Sequence, residues 1–317
     1  MENNLKKPKY IIVLGTTFSG SGAIFDYLRG RGDLYNPLVD QEYALPRLPN
    51  GFMFLEAITG KAFDPAITEY ALIQFKFIAD QLMNYWIKKT NDDNLKKQIP
   101  FFKKKIDQFI EDISFSDFPM RLFWRELMET PSQYIFDRLK TRIGFRNKDA
   151  KSRLIVSQKD LICAAQELHD NMFYLNSNDC PVLLNQSGSG WNPTESTKYF
   201  TEKKIVLVTR DPRDQFAELK QFKKAGSIEG FIKWYGEMQR RLKLINDPNI
   251  LIIRFEDFVM NNKISIKKLC EHISISPNIE STYQPNLSKK NIRKFSNLIL
   301  QNEIEKIERV FKEHTYN

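Results

Sequence analysis

A short apolar run that leads into a loop of glycines and hydroxyl residues constrains the fold more than any other stretch of the chain. Residues 10–14 (YIIVL) are few and rich in β-branched side chains, which is typical of a buried strand. Residues 15–22 form the loop, and residues 23–28 then have helical spacing. Glycines let the backbone approach a ligand, and a helix N-terminus favours negative charge. The stretch therefore predicts an anion-binding site.

The loop does not match two common nucleotide-binding motifs. Gly15 and Gly20 have the spacing of a Walker A loop, but Ser21 and Gly22 stand where that motif has lysine and a hydroxyl residue. A kinase would lack its contacts to phosphate and magnesium, so a P-loop-like kinase is the less favoured alternative. The dinucleotide pattern G-x-G-x-x-G is also absent from this loop. A tight turn without a ligand is the structural alternative for the loop taken alone.

Composition predicts one large domain over residues 1–317 of a soluble, cytoplasmic protein. The 317 residues include 48 Lys and Arg against 39 Asp and Glu, and the resulting charge of +9 suits an anionic ligand or substrate, nucleic acid or a membrane surface. Three separated cysteines and three scattered histidines predict neither a disulfide framework nor a metal site. No apolar run reaches the roughly 18 residues of a membrane span. The basic residues accompany no recognised motif for reading nucleic acid, and the oligomeric state is left open.

Strands and helices alternate along the chain outside one helical block. Further buried strands are predicted from apolar runs at residues 181–185, 204–210 and 250–255. Asp211 and Pro212 are residue types that cap and begin a helix. Residues 60–150 have helical spacing without a convincing strand, which predicts a helical insertion. The pattern indicates a doubly wound, mainly parallel α/β sheet, with ligands expected beyond the carboxyl ends of its strands.

Two cationic elements are expected at the same sheet edge as the first loop. Arg210 ends a predicted strand just before the capped helix. Residues 288–295 (SKKNIRKF) form a basic segment near the C-terminus. An anion-binding loop together with two separate cationic elements predicts a ligand that carries phosphates at two ends.

This order of motifs resembles the sulfotransferases that use 3′-phosphoadenosine 5′-phosphosulfate (PAPS), and in character the bacterial and carbohydrate-type members. In that family the first loop holds the 5′-phosphosulfate, and a strand ending in Arg-Asp-Pro-Arg-Asp, here residues 210–214, holds the 3′-phosphate. A Ser-Lys-Lys-Asn segment, here residues 288–291, closes over the nucleotide. The resemblance implies a PAPS-dependent enzyme without a metal. It would transfer a sulfuryl group to an acceptor hydroxyl, with a saccharide or glycolipid as the expected acceptor.

The resemblance also implies roles for particular residues. Glu42 stands close to the glutamate that deprotonates the acceptor in the carbohydrate branch, and Asp40 is the alternative. Gln186 is a candidate neutral donor in the catalytic step. The implied nucleotide-binding residues are Thr16, Thr17, Phe18, Ser19, Gly20, Ser21, Gly22, Arg210, Lys289, Lys290 and Arg293.

Three positions depart from the family pattern. Phe18 stands where the family has a lysine or arginine that stabilises charge on the oxygen leaving the sulfur. Glu218 replaces a serine that contacts the 3′-phosphate, and Asn185-Gln186 replaces a second lysine. A lost catalytic donor typically costs about 2.7–4 kcal/mol, which Gln186 or a cation of the basic segment would partly offset. A catalytically impaired, nucleotide-binding protein is therefore the second hypothesis.

Overall fold

The computed structural model describes residues 8–59, 63–118, 123–128, 130–143, 152–155 and 158–316. The strands are β1 Tyr10–Gly15, β2 Ser114–Phe118, β3 Ser152–Ile155, β4 Val182–Asn185, β5 Lys203–Thr209 and β6 Ile250–Arg254. The helices are α1 Ser21–Arg29, α2 Phe52–Thr59, α3 Pro65–Lys89, α4 Asp93–Ile113, α5 Phe123–Leu127, α6 Pro131–Arg142, α7 Gln158–Met172, α8 Pro193–Ser196, α9 Pro212–Gln221, α10 Ile228–Leu242, α11 Phe255–Met260, α12 Asn262–His272, α13 Pro285–Lys289, α14 Phe295–Leu298 and α15 Gln301–Phe311.

Four strands form a parallel sheet in the order β4-β1-β5-β6. Ile12 of β1 lies opposite Leu184 of β4 on one side and Ile205 of β5 on the other. Val208 of β5 lies opposite Ile253 of β6. Parallel strands are joined by crossover helices and are buried on both faces, which explains the nearly continuous apolar runs of β1, β4 and β5. The edge strand β6 is less buried, with Ile252 39% exposed. The predicted α/β class with a mainly parallel sheet is confirmed.

The described chain divides into two compact units, and the sheet belongs to the first, which combines the segments up to Pro46 and from Phe173 onward. One face of the sheet packs against helices α1, α11 and α12. The buried side chains of this core include Ile11, Val13, Ile24, Leu28, Val206, Val208, Phe258, Val259 and Leu269. Burying apolar side chains on both sides of the strands fixes the sheet edge at which the loops meet.

The second unit covers Arg47–Met172 and is mainly helical. Rings of Phe52, Phe75, Phe109 and His169 form its centre, with the Phe52 centroid 5.0 Å from Phe75, 5.3 Å from Phe109 and 5.2 Å from His169. The helical insertion predicted over 60–150 lies in this unit, and residues 60–62, 119–122, 129 and 144–150 of it lie outside the described residues. The single domain predicted over 1–317 stays a prediction.

The expectation that the helical block contains no strand was wrong. Residues 114–118 form the strand β2, which pairs antiparallel with β3 through Phe115 and Leu154. The partner strand is distant in the sequence, so the local pattern of β2 carries no sign of the pairing. In α3 the apolar side chains Ile67 and Tyr85 are 43% and 54% exposed. That helix carries apolar residues on more than one side, so their spacing alone does not select the buried face.

Among the residues that the structure describes, no helix combines the length and the apolar character that a bilayer crossing requires.

Candidate functional site

The carboxyl ends of the four parallel strands lie at one edge of the sheet in the first unit. The segments that begin directly after these ends are the loop 16–20, Gln186, Arg210 and Phe255. Ligands of open parallel sheets bind at this edge. The sequence placed the first loop, Gln186 and Arg210 there, and the structure brings them together.

The first loop turns sharply between β1 and α1. Phe18 and Gly20 both have positive φ, of 58° and 80°. The backbone N–H of Ser19 donates to the carbonyl oxygen of Thr16 at 3.0 Å, which closes the turn. Gly20 is the N-cap of α1 and makes no side-chain cap. The first N–H groups of that helix therefore have no capping side chain, although the N–H of Ala23 donates to the carbonyl oxygen of Gly20 at 3.1 Å. An uncapped helix N-terminus suits an anion.

Buried polar atoms line this loop. The side chain of Ser19 is 1% exposed, and its Oγ meets no hydrogen-bond partner among the described residues. Nε2 of Gln215 donates to Oγ1 of Thr16 at 3.1 Å and to the carbonyl of Thr17. Because buried hydroxyls are normally hydrogen-bonded, Ser19 Oγ has hydrogen-bonding capacity left for a ligand atom. Gln215 lies in the first turns of α9 within no motif, so it was missed in the sequence.

Replacing Ser19 by alanine is expected to leave the free energy of unfolding nearly unchanged while weakening anion binding. The variant removes a buried hydroxyl that has no described partner, so no native hydrogen bond is lost. Urea unfolding and calorimetric titration with a phosphate-bearing nucleotide measure the two effects. Ser196→Ala is the control, because its Oγ accepts from the N–H of Ser189 at 2.7 Å, and we expect it to lose about 1 kcal/mol. An equal loss of stability in both variants would contradict this view of Ser19.

The side chain of Gln186 contacts both ends of the first loop, at Gly15 and at Ser21. Its Oε1 accepts from the N–H of Gly15 at 3.4 Å, and its Nε2 donates to Oγ of Ser21 at 2.9 Å. The side chain thus lies against the two ends of the predicted anion-binding loop. Its role as a catalytic donor stays a prediction.

Arg210 joins the first loop to the basic segment. The residue is 3% exposed, and its Nη1 donates to the carbonyl of Phe18 at 3.0 Å. Its Nη2 donates to the carbonyl of Asn291 at 2.6 Å, and the guanidinium carbon lies 5.1 Å from the centroid of the Phe255 ring. Nε of Arg210 is buried without a described partner. Three elements that the sequence predicted to converge therefore meet at one guanidinium.

Carboxylates of α9 hold the same cluster together. Oε2 of Glu218 lies 3.0 Å from Nη1 of Arg210, and Oε1 lies 3.2 Å from Nζ of Lys294. Asp214 accepts from the backbone N–H groups of Arg293 at 2.8 Å and Phe295 at 3.0 Å. Burial raises the pKa of Asp214, while the charge of Arg210 and those N–H groups lower it. The backbone of the basic segment is thereby fixed on α9.

The other cations that are predicted to bind the nucleotide are less buried than Arg210. Lys289, Lys290 and Arg293 are exposed, and only the backbone of Arg293 is fixed by Asp214. Their predicted side-chain contacts with a nucleotide therefore stay predictions.

A different lysine lies beside the position where the family has its loop cation. The Phe18 ring stacks on Phe222 with centroids 5.1 Å apart. Nζ of Lys224 lies 5.5 Å from the Phe18 centroid, a cation–π distance. Lys224 belongs to no motif and was missed in the sequence.

Glu42 lies at the same edge of the sheet. It forms an isolated parallel bridge with Asn185 at the end of β4, and the N–H of Tyr43 donates to the carbonyl of Asn185 at 3.1 Å. The side chain of Glu42 is exposed. Asp40 is also exposed and accepts from Nε2 of Gln41 at 2.7 Å. The backbone thus places Glu42 next to the strand end that leads to Gln186.

No family model and no curated protein matches the chain. Among solved structures, the chain is similar to the sulfotransferase domain from the Synechococcus PCC 7002 olefin synthase, with 12% identity and a TM-score of 0.46 over 100% of this chain and 98% of that chain. The sulfotransferase domain from the curacin biosynthetic pathway has 14% identity and a TM-score of 0.42 over 95% and 96%. Mouse sulfotransferase SULT7A1, complexed with PAP, has 12% identity and a TM-score of 0.32 over 52% and 73%.

These solved structures are all sulfotransferases, which is the class that the order of motifs resembles. A fold hosts many activities, so the function of this chain has to be argued from its own site residues.

Proposed function

We propose that the protein is a sulfotransferase that moves a sulfuryl group from a nucleotide phosphosulfate to a hydroxyl of an acceptor. The observation that carries this proposal is Arg210, whose guanidinium ties the first loop at Phe18 to the basic segment at Asn291. An anion-binding loop, a buried arginine and a closing basic segment at one sheet edge are what a nucleotide with an anionic 5′ end requires. In the family that the chain resembles, that donor is PAPS.

The residues present fit the 5′ end of such a donor. Ser19 Oγ is buried without a described partner, and the first N–H groups of α1 have no side-chain cap. These donors would hold the phosphate and the sulfate beside it, with Thr16 oriented by Gln215. The 3′ end fits less well, because Glu218 already pairs with Arg210.

Glu42 is the proposed base. Sulfuryl transfer forms a bond from the acceptor oxygen to sulfur and breaks the bond from sulfur to the bridging oxygen, which keeps the electron pair on the leaving phosphate. Glu42 would take the acceptor proton, and the loop N–H groups would stabilise charge on the leaving oxygen. Phe18 contributes no cation, so Nε2 of Gln186 and the ammonium of Lys224 are the proposed substitutes.

For the acceptor, we propose a hydroxyl of a saccharide or glycolipid, and the lining of a hollow beside the loop favours the glycolipid. This cavity of about 370 Å³ reaches Thr17 and Lys224. Its walls include the aromatic side chains of Phe216, Phe231 and Trp234. An aromatic wall can stack on a sugar face, and it also buries apolar chain. A glycolipid carries both a sugar and an apolar chain.

A transfer assay tests the proposal. Radiolabelled sulfate donors are incubated with the protein and either a glycolipid or a free oligosaccharide, while calorimetry measures nucleotide binding. Labelled acceptor is the expected result, with more label on the glycolipid. If no nucleotide binds, the proposal fails.

Replacing Glu42 by glutamine is expected to lower the transfer rate about 100-fold, the low end of what a positioned base contributes. Nucleotide affinity is expected to stay unchanged, because Glu42 would contact the acceptor and not the nucleotide. Asp40→Asn is the matched control and keeps the wild-type rate. A large loss in the Asp40 variant alone would assign the base to Asp40 and contradict the role of Glu42.

A second candidate function is nucleotide binding without transfer. It is favoured by the Phe18 ring, which stacks on Phe222 where a catalytic cation is needed. Tight nucleotide binding together with no labelled product would support it. A P-loop-like kinase is less favoured, because the loop lacks the Walker lysine.

We also propose a cytoplasmic location. Cys163, Cys180 and Cys270 are all free thiols in the described structure, and unpaired cysteines are typical of reducing compartments.

A further inference from the structure

The carboxylate of Glu218 lies where the pattern of motifs predicts a second phosphate. Its Oε2 is 3.0 Å from Nη1 of Arg210. Its Oε1 is 3.2 Å from Nζ of Lys294, a cation of the basic segment. One protein anion therefore bridges the strand-end arginine and the closing segment, the two elements that would hold a 3′-phosphate.

We infer that Glu218 replaces the 3′-phosphate, so that the site takes a nucleotide with an anionic 5′ end and no phosphate on its 3′ oxygen. This inference rests on the proposed function and narrows its donor. It makes Glu218 a specificity-determining residue, one that acts by occupying the cations of the second phosphate subsite.

The hydrogen bonds of Arg210 leave little capacity for a second anion. Nη1 donates to the carbonyl of Phe18, and Nη2 donates to the carbonyl of Asn291 and to Oε1 of Glu218. A guanidinium has five N–H donors. Only Nε lacks a described partner, and a single donor cannot make the bidentate contact that arginine normally makes with phosphate.

The two cations nearest this subsite already have carboxylate partners. Arg210 and Lys294 both pair with Glu218, and Asp214 adds a second carboxylate from the same helix. A phosphate monoester adds about −1.5 to −2 charges at pH 7. Placing it here would set like charges against each other in a region shielded from water, where electrostatic interactions are strong.

Both its helix and its two ion pairs hold Glu218 in place. It lies on α9, whose N-terminus is fixed by Asp211, which accepts from the N–H of Arg213 at 2.8 Å. Its side chain is 12% exposed, so moving it away would break both ion pairs. The 5′ half of the site is formed by other groups, since Ser19 and Thr16 belong to the loop and the first N–H groups belong to the start of α1.

The test compares two nucleotides that differ only in the 3′-phosphate. The wild type, Glu218→Ser and Glu218→Gln are titrated with 5′-AMP and with adenosine 3′,5′-bisphosphate by calorimetry. The wild type is expected to bind 5′-AMP at least as tightly as the bisphosphate. Both variants are expected to prefer the bisphosphate by about tenfold or more, because Arg210 and Lys294 then gain a phosphate partner.

Glu303→Gln is the matched control, because Glu303 forms a 2.8 Å ion pair with Lys220. Lys220 lies on α9, the helix that also carries Glu218. That variant should keep the wild-type preference. Thermal unfolding checks that each variant is folded, and the isosteric Glu218→Gln variant decides the outcome if Glu218→Ser does not fold. A wild type that prefers the bisphosphate tenfold would overturn this inference but not the proposed function. Variants that keep the wild-type ratio of the two affinities would have the same effect. A wild type that binds neither nucleotide would overturn the proposed function, and this inference with it.

Discussion

An Arg210→Ala variant is expected to lose about 3 kcal/mol of unfolding free energy and to bind nucleotide about tenfold more weakly or worse. Removing one partner of a buried ion pair typically costs about 3–5 kcal/mol, because the other charge stays buried. Lys294 still neutralises part of the Glu218 charge, which favours the low end of that range. Binding weakens because the loop carbonyl of Phe18 loses a charged donor, and such bonds contribute about 1.5–3 kcal/mol.

Two comparisons isolate the cause of the effect of the Arg210 variant. The double variant Arg210→Ala with Glu218→Ala should regain part of the lost stability, since no carboxylate is then left unpaired. Lys220→Ala removes a cation of α9 that is one-third exposed and pairs with Glu303, and it should cost about 1 kcal/mol or less. Urea unfolding measures all three. If Arg210→Ala loses as little unfolding free energy as Lys220→Ala, the ion pair of Arg210 with Glu218 does not stabilise the fold.

A Gly20→Ala variant is expected to lose about 3 kcal/mol or more and to lose anion binding with it. Gly20 has a φ of 80°, a conformation that costs an L-residue roughly 1–2 kcal/mol. An added Cβ would lie 2.7 Å from Cγ of Phe255, and overpacking of this kind typically costs about 1–3 kcal/mol. The loop or the ring would have to move, and Arg210 lies over that ring.

Gly22→Ala is the matched control for Gly20→Ala. A Cβ at Gly22 meets no described atom within 4 Å, and its φ is not positive. Alanine is favoured over glycine in a helix by about 0.5–1 kcal/mol, so this variant should be at least as stable as the wild type. Denaturation midpoints and nucleotide titrations separate the two variants. Equal stabilities would show that the Phe255 contact does not constrain the loop.

The sequence predicts the parallel sheet, and the edge at which its loops meet, well, because their signals are local. The apolar run after Lys203 and the Asp211-Pro212 pair mark the end of β5 and the start of α9, and the structure has both. Parallel strands bring the loops at their carboxyl ends to one edge of the sheet, so the meeting of the first loop with Arg210 is a consequence of topology.

Contacts between distant segments could not be predicted from the same patterns. Gln215 reaches Thr16 because α9 packs beside the loop, and nothing in its own neighbourhood signals this. Lys224 reaches the Phe18 ring from the segment after α9, also without a motif. The sequence shows Glu218 as a departure from the family, but only the structure gives the direction of its side chain toward Arg210 and Lys294.

The attachment of the basic segment through its backbone has a consequence for how this site can diverge among related proteins. Asp214 holds the segment by the N–H groups of Arg293 and Phe295, which every residue except proline provides. The exposed side chain of Arg293 can therefore be exchanged for any residue except proline without loss of these two hydrogen bonds. Mutation can change the charge at this position while Asp214 still holds the backbone of the segment.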